Sequence, residues 1–242
     1  MKRLFHGGIH PADAKQLSSG QVLRPAPAPQ TVVMSMLQHI GAPCEPLVKP
    51  GQTVKLGQKI GDADGLCVPV HASVSGTVLA VEPRPHPSGR DVMSVVIQND
   101  FRDTVEHGEK SPADVERSSA QELMAAIREA GVVGMGGATF PTDVKAQSGM
   151  GKVDTLIANA CECEPYITAD DTLLRTWPDR VLEGLRLMGR VLRPDRIVLG
   201  VEENKPGPLR CWKSGWPGTA GSGCRFCRPD TLRAEKNSSL RL

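Results

Sequence analysis

Aromatic residues are scarce: four Phe, three Trp and one Tyr make up 3% of the 242 residues. The stacking platforms that hold single-stranded nucleic acid are therefore missing. With 29 basic against 27 acidic residues, a net +2, there is also no polyelectrolyte surface for a phosphate backbone. Nucleic acid is excluded as a partner. No apolar run approaches the ~20 residues that a membrane helix needs, and Met1-Lys2-Arg3 leads into polar "HGGIHPADAK" instead of a signal-type apolar core. The chain reads as soluble and cytosolic. Seven unevenly spaced cysteines do not form a secreted disulfide framework. Cys44 and Cys67 are expected as small buried residues in strands, without a redox role. His6 and His10 of "FHGGIHP" have no Cys or carboxylate near them, so that segment is expected to be a loop strapped over a neighbouring surface, not a metal pair.

What the chain has in quantity is Gly and Pro, 25 and 20 residues, and their placement divides it. Residues 1–29 are a polar lead-in. Residues 30–100 carry only β signals: "TVVMSMLQHI" and "SVVIQN" are β-rich runs, and "KPGQ", "LGQ", "VSG" and "HPSG" are turns between short strands. Residues 101–117 are charged and read as a linker. Residues 118–206 then alternate helix and strand. Ser119 with Glu122 forms a capping box for "AQELMAAIREA", and Gly131 closes that helix at C′. Pro141-Thr142-Asp143 opens a short helix carrying Lys145. "VDTLIANA" reads as a buried parallel strand, Asp170 or Asp171 as a cap for the segment beyond it, and "PDRVLEGLRLMGRVL" as a helix with Pro178 near N1. "DRIVLGVEENK" supplies the second strand and a loop. Strand, loop, helix, strand is a βαβ unit, so a parallel α/β sheet is expected.

The densest chemistry lies in "GVVGMGGATFPTDVK", where four glycines fall within residues 131–137. Glycine loses more backbone freedom on folding than any other residue, so such a cluster points to a backbone with a task of its own. That task is commonly to bring N–H groups to an anion in front of a helix N-terminus. A dinucleotide Rossmann fingerprint fits poorly: the loop follows a helix instead of a strand, and Thr139 stands where the third glycine belongs. In an open α/β sheet the ligand lies beyond the carboxyl ends of the strands. Three segments are expected there: the glycine loop, "NACECEP" and "GVEENK". They supply Gly134, Gly136 and Gly137, Lys145, Asn159, the carboxylates Glu162 and Glu164, and Glu202 and Glu203. Loop amides and Lys145 suit a phosphate, Asn and Glu side chains suit hydroxyls and ring edges, and Phe140 can stack on a planar ring.

"PLVKPGQTVKLGQKIGDADG" followed by "VPVHASVSGTVLAVEP" resembles the barrel-sandwich hybrid of biotinyl and lipoyl domains, without a Met-Lys-Met hairpin for a carrier lysine. A structural or docking module is expected there. "GVVGMGGATFPTDVK", "LIANACECEPYITADD" and "GVEENKP" resemble the flavin-binding domain of the NADH-oxidising subunit of respiratory complex I. Together with "FHGGIHP", "QHIGAPCEPLVKPGQTVKLGQKIG" and "ECEPYIT", they more closely resemble RnfC (RsxC), the C subunit of the Rnf/Rsx ion-translocating electron transport complex. The resemblance covers roughly Phe5 to Pro206. It implies a barrel-sandwich β domain followed by an incomplete parallel α/β flavin domain. It also implies FMN on Gly134, Gly136, Gly137 and Lys145, with Asn159, Glu162 and Glu164 nearby. NADH would then be the substrate, beside Phe140 and near Glu202 or Glu203. The partners implied are the other Rnf/Rsx subunits and a ferredoxin-like carrier, at the cytoplasmic face of a bacterial inner membrane. Electrons would leave through 4Fe-4S clusters, whose ligand motifs this chain does not contain. Cys161 and Cys163 are not expected to ligate a cluster, because a C-x-C pair cannot complete a four-thiolate site.

Residues 207–242 change character, with two of the three Trp and three of the seven Cys and no evident periodicity. They are expected to be a disordered, frameshifted end, in which Cys224 and Cys227 are too few for a metal site. Two competing readings are a non-catalytic docking module, in which the glycine loop is only structural, and the A subunit of the sodium-pumping quinone reductase. As a truncated RnfC-like subunit, the chain is expected to be inactive alone.

Overall fold

The computed structural model describes residues 11–106, 112–135, 137–162, 164–202 and 223–227. Gly136, Cys163, Glu203, His6 and His10 lie outside the described residues. The chain divides into two units, Ala26–Lys152 and Met1–Pro25 with Val153–Leu242. Among the described residues, no helix is long and apolar enough to cross a membrane.

In the first of these units β1 (Thr31–Ser35), β3 (Thr53–Val54), β6 (Gly76–Pro85) and β7 (Asp91–Asn99) form an antiparallel sheet in the order β1-β7-β6-β3. A smaller sheet runs in the order β2-β4-β5, from Glu45–Pro46, Lys59–Asp62 and Val70–His71. Between them packs a core that includes Met36, Cys44, Val54, Ile60, Cys67, Val78, Val95 and Ile97. Burial of each β-branched side chain there is worth about 1.5–3 kcal/mol.

The repeated K-x-G-Q spelling has a local cause. Gln52 and Gln58 each donate a backbone N–H to the Lys carbonyl three residues back, at 3.1 Å in both turns. Each Gln Oε1 accepts the N–H of that same lysine, at 2.6 Å and 3.0 Å. The third residue of each turn, Gly51 (φ 87°) or Gly57 (φ 81°), takes the left-handed conformation of a type II turn.

Two expectations need correction here. The "TVVMSMLQHI" strand stops at Ser35, whose hydroxyl accepts the Leu37 N–H at 3.1 Å and turns the chain inward. Cys44 and Cys67 are buried, but neither lies in a strand: Cys44 precedes β2, and Cys67 is in the loop before β5. Burial first, and then the neighbouring Cys67 thiol, push the Cys44 thiol up to about 12.

The segment read as a linker contains a helix, α1 (Pro112–Arg117). α2 (Ala120–Glu129) begins on the expected capping box, with the Glu122 N–H donating to Ser119 Oγ at 3.2 Å and the Ser119 N–H to Glu122 Oε2 at 2.7 Å. Gly131 ends it at φ 67°, where a Cβ would stand 2.5 Å from the Pro69 carbonyl oxygen. This glycine is therefore required by close packing against the sandwich.

An ionic latch fastens the same helix. Asp62 accepts Lys59 Nζ at 3.1 Å and Arg128 at 3.0 Å, and Lys59 also reaches Glu129. Burial alone would raise the Asp62 carboxyl, but the hydrogen bonds from Lys59 and Arg128 outweigh it and hold it below its ordinary range. The Lys59 hydrogen bond, against a smaller opposing effect of burial, does the same for Glu129.

In the other unit β8 (Thr155–Ala160) and β9 (Arg196–Glu202) pair in parallel, from Thr155 opposite Arg196 to Ala160 opposite Val201. The crossover runs through α4 (Ala169–Thr176) and α5 (Pro178–Leu192), as the βαβ reading requires. Leu174 and Leu182 cover Ala160, Leu199 and Val201. Arg193, left-handed at φ 52°, and Pro194 after it stop α5.

Two expectations fail in this unit. β8 is parallel but largely unburied, with Ile157 62% exposed, because it is the edge of its sheet. The cap position of α4 is Thr168, and Asp170 and Asp171 occupy its first turn. Within 207–242 the described residues are β10 (Gly223–Cys227), which pairs in parallel with β9 from Val198 to Glu202. A five-residue ladder on an open strand edge draws on main-chain hydrogen bonds, which composition does not reveal. The rest of 207–242 lies outside the described residues.

Depressed carboxyls stabilise a fold fully above their ordinary pKa, about 4, and the contribution fades as pH falls through the lowered values. Asp62→Asn is therefore expected to cost about 1 kcal/mol at pH 7, with the gap from the parent chain closing toward pH 3. Urea unfolding at both pH values tests this, and a gap that persists at pH 3 would reject the latch.

Candidate functional site

The glycine segment is a narrow hairpin. Val133 bridges Pro141, the Gly134 N–H donates to the Phe140 carbonyl at 2.8 Å, and the Thr142 N–H donates to the Val132 carbonyl at 3.1 Å. The Gly134 amide is thus committed to the hairpin itself. The tip beyond it is open: Met135 is 90% exposed, Gly137 has φ 99° with nothing within 4 Å of where a Cβ would stand, and Thr139 is left-handed at φ 45°. Phe140 is at the surface.

α3 (Thr142–Gly149) starts directly after this hairpin, with Pro141 at its cap position and no side-chain capping bond. Pro offers no side-chain acceptor, so the first-turn N–H groups have no side-chain partner there. Lys145 lies exposed on the same helix. Asp143 Oδ1, in the first turn, is buried without a hydrogen-bond partner.

The remaining predicted residues that are described, Asn159, Glu162, Glu164 and Glu202, belong to the other unit and gather at the carboxyl ends of β8 and β9. Glu162 and Glu202 are buried at 4% and 3% exposure, whereas Asn159 and Glu164 are exposed. Asn159 Oδ1 accepts the Cys161 N–H at 3.2 Å and shapes the turn leaving β8. Glu162 Oε1 accepts the Asp170 N–H at 2.7 Å, so this carboxylate caps α4 from a distance.

The central cation of this cluster is one that the sequence did not reveal. Lys15, in a single 3-10 turn (Lys15–Leu17) of the lead-in, is buried, and its ammonium donates to the Glu162 carbonyl and, at 3.2 Å, to Glu202 Oε2. Two further bonds tie the lead-in down: the Tyr166 N–H to the Asp13 carbonyl at 2.8 Å, and Ser18 Oγ to the Tyr166 carbonyl at 2.5 Å. The strap expected of "FHGGIHP" lies, but for Pro11, outside the described residues, and nothing in the local spelling "PADAKQL" marks Lys15 as buried.

A shallow cavity of about 500 Å³ lies among Pro43, Glu45, Asp62, Asp64 and Arg128. None of the predicted site residues lines it. It is a groove beside the ionic latch.

Both halves of this architecture have known relatives. Residues 3–102 match the RnfC barrel sandwich hybrid domain, and residues 127–214 match the Nuo51 FMN-binding domain. The chain is 44% identical over 224 residues to the C subunit of the ion-translocating oxidoreductase complex of Serratia proteamaculans, covering 91% of this chain and 32% of that protein. It is 46% identical over 203 residues to the C subunit of the Na(+)-translocating ferredoxin:NAD(+) oxidoreductase complex of Acetobacterium woodii, covering 83% and 46%. The chain is thus similar, over most of its own length, to C subunits of Rnf-type complexes.

The chain spans between a third and half of the length of these relatives. Among solved structures, an NAD+-reducing [NiFe]-hydrogenase in the air-oxidized state aligns over 45% of this chain and 22% of its own, at 24% identity and a TM-score of 0.38. The fold is a barrel-sandwich hybrid followed by a Nuo51-type α/β domain, as the RnfC resemblance implied.

Removing one member of a buried ion pair strands the other, at about 3–5 kcal/mol. Lys15→Met is expected to lose that much in denaturant unfolding, and Lys15→Met with Glu202→Gln to recover part of it. A single-variant loss below ~1 kcal/mol would place the pair among exposed, weak contacts instead.

Proposed function

We propose that this chain is a flavin-holding part of an Rnf-type C subunit, in an NADH:ferredoxin-type oxidoreductase coupled to ion movement. The observation that carries the reading is the uncapped start of α3 behind an open glycine hairpin, in a stretch that matches an FMN-binding domain. The residues suit the cofactor. Main-chain N–H groups of Asp143 and Val144 in the α3 first turn and of Gly137 would take the phosphate, with Gly136 assigned there by the resemblance, and Lys145 would add a full positive charge from the next turn. Asp143, with one carboxylate oxygen buried and unpaired, offers an acceptor to a hydroxyl donor. Asn159 and Glu164 are assigned to hydroxyls and ring edges by the resemblance to the complex I flavoprotein.

The roles within the predicted set then separate. Gly134 closes the hairpin and holds the tip in shape. Glu162 and Glu202 work through Lys15 and α4: they position the loop that carries Asn159 and Glu164, and are not assigned a ligand contact of their own. Phe140 is the exposed flat side chain on which a ring can rest, and Glu203 is assigned to the NADH side by the resemblance alone. FMN, when bound, supplies the exchange between hydride and single-electron transfer. The protein supplies the anion site, the positive charge and the polar edge.

Other subunits of the complex and a ferredoxin-like carrier are the proposed partners, with the subunit held peripherally at the cytoplasmic membrane face. The proposed electron exit is 4Fe-4S clusters outside this chain. The relatives' names, an ion-translocating oxidoreductase and a ferredoxin:NAD(+) oxidoreductase, support this assignment.

FMN titrated into the purified chain should lose fluorescence as it binds. Lys145→Ala should weaken binding by about 1.5–3 kcal/mol, roughly 10- to 150-fold. Equal affinity in parent and variant would reject the phosphate assignment, and no quenching in the parent would favour the docking-module reading.

A further inference from the structure

The core of the barrel sandwich contains a cluster to which the electron-transfer reading gives no role. His39, Cys44 and Cys67 are all buried, at 5%, 3% and 2% exposure, although they come from three separate segments. Their donor atoms converge: Cys44 Sγ to Cys67 Sγ is 3.3 Å, Cys67 Sγ to His39 Nε2 is 3.6 Å, and Cys44 Sγ to His39 Nε2 is 4.0 Å. The Val68 carbonyl oxygen lies 3.2 Å from Cys44 Sγ, 3.6 Å from Cys67 Sγ and 3.2 Å from His39 Nε2.

These four atoms form a tetrahedron whose edges run from 3.2 to 4.0 Å. Zinc, with bonds of about 2.3 Å to sulfur and 2.0–2.1 Å to nitrogen, sets tetrahedral edges of about 3.5–3.8 Å. We propose that His39, Cys44 and Cys67 form a structural site for a thiophilic divalent metal ion, zinc above all, inside the barrel-sandwich domain. The Val68 carbonyl, or a water in its place, takes the fourth position.

Three further features favour a metal over a simple thiol contact. First, His39 Nδ1 lies 3.1 Å from the Ile40 carbonyl, so a proton on that nitrogen is held there and the Nε2 lone pair is left facing the two sulfurs. In the metal-free chain the Val68 N–H uses that lone pair, at 3.3 Å. Second, charge closes: two thiolates neutralise a divalent cation, so the loaded site is neutral in a core that would not tolerate a net charge. On binding, the two thiol protons leave to solvent and two metal–sulfur bonds replace the thiol hydrogen bonds, with no change of oxidation state. Third, Pro43 and Glu45, the neighbours of Cys44, line the 500 Å³ cavity together with Asp62, Asp64 and Arg128, so the loop that carries Cys44 borders a polar opening at the surface. The loops that carry the ligands are themselves joined, the Ala42 N–H donating to the Leu66 carbonyl at 3.0 Å.

The test uses the full chain, reduced and stripped of metal, titrated with Co2+. The expected result is one equivalent bound, with a near-ultraviolet sulfur-to-cobalt charge-transfer band and the intense visible absorption of tetrahedral coordination, both bleached by added Zn2+. Cys67→Ala and His39→Gln should abolish these bands, whereas Cys224→Ser with Cys227→Ser should leave them in place. Since core variants can misfold, circular dichroism accompanies each, and a folded Cys67→Ala chain should also lose the rise in melting temperature that Zn2+ gives the parent. Bands that survive Cys67→Ala, bands that vanish with the Cys224 and Cys227 pair, or no bands at all would overturn the proposal. So would a Cys44–Cys67 disulfide in the chain as isolated, seen by peptide mapping.

Discussion

One buried ammonium organises the mouth of the parallel sheet. β8 and β9 run side by side, so their carboxyl ends deliver Glu162 and Glu202 to the same place, and both are buried. An uncompensated carboxylate there would carry a large desolvation cost. Lys15 meets it by donating to the Glu202 carboxylate and to the Glu162 main chain. With its backbone thus held, Glu162 points its carboxylate at the start of α4, which lacks a side-chain cap of its own. Strand ends, helix start and lead-in are therefore coupled through one charge, with the exposed Asn159 at the end of β8 and Glu164 on the loop beyond it.

The described glycines of residues 131–137 divide among different tasks. Gly131 serves packing, because its Cβ would collide with the Pro69 carbonyl; Gly134 serves the hairpin through its bond to Phe140. Among the described glycines of this hairpin, Gly137 is the one left with open space around it. A glycine-rich stretch is thus a mixture of structural necessity and exposed backbone, and composition alone does not separate them. The backbone on which the proposed phosphate site rests lies at the end of the run, where proline starts a helix it cannot cap.

The sandwich shows a comparable division. Its K-x-G-Q turns are self-contained, each Gln closing the turn from both sides, so they carry register without help from the core. The core is thereby free to include two thiols and an imidazole among its valines and isoleucines. A polar cluster that is well partnered adds specificity to such a core, and one left half-satisfied would weaken it.

Local chemistry was legible from the amino acids alone. The capping box at Ser119 and Glu122, the Gly131 terminus, the limits of α5 at Pro178 and Leu192, and the parallel pairing of "TLIANA" with "RIVLGVE" all derive from neighbours in the chain and from hydrophobic period. Their free energies are set within a few residues, so spelling suffices. The family motifs were legible for the same reason. What only the tertiary structure decided is whatever depends on sequence separation. Lys15 meets partners 147 and 187 positions away, Cys67 joins His39 across 28, and β10 finds the open edge of β9. The energies of such contacts arise from burial and register in the folded chain, and a polar lysine or a small cysteine looks the same in the sequence whether it ends in water or in the core.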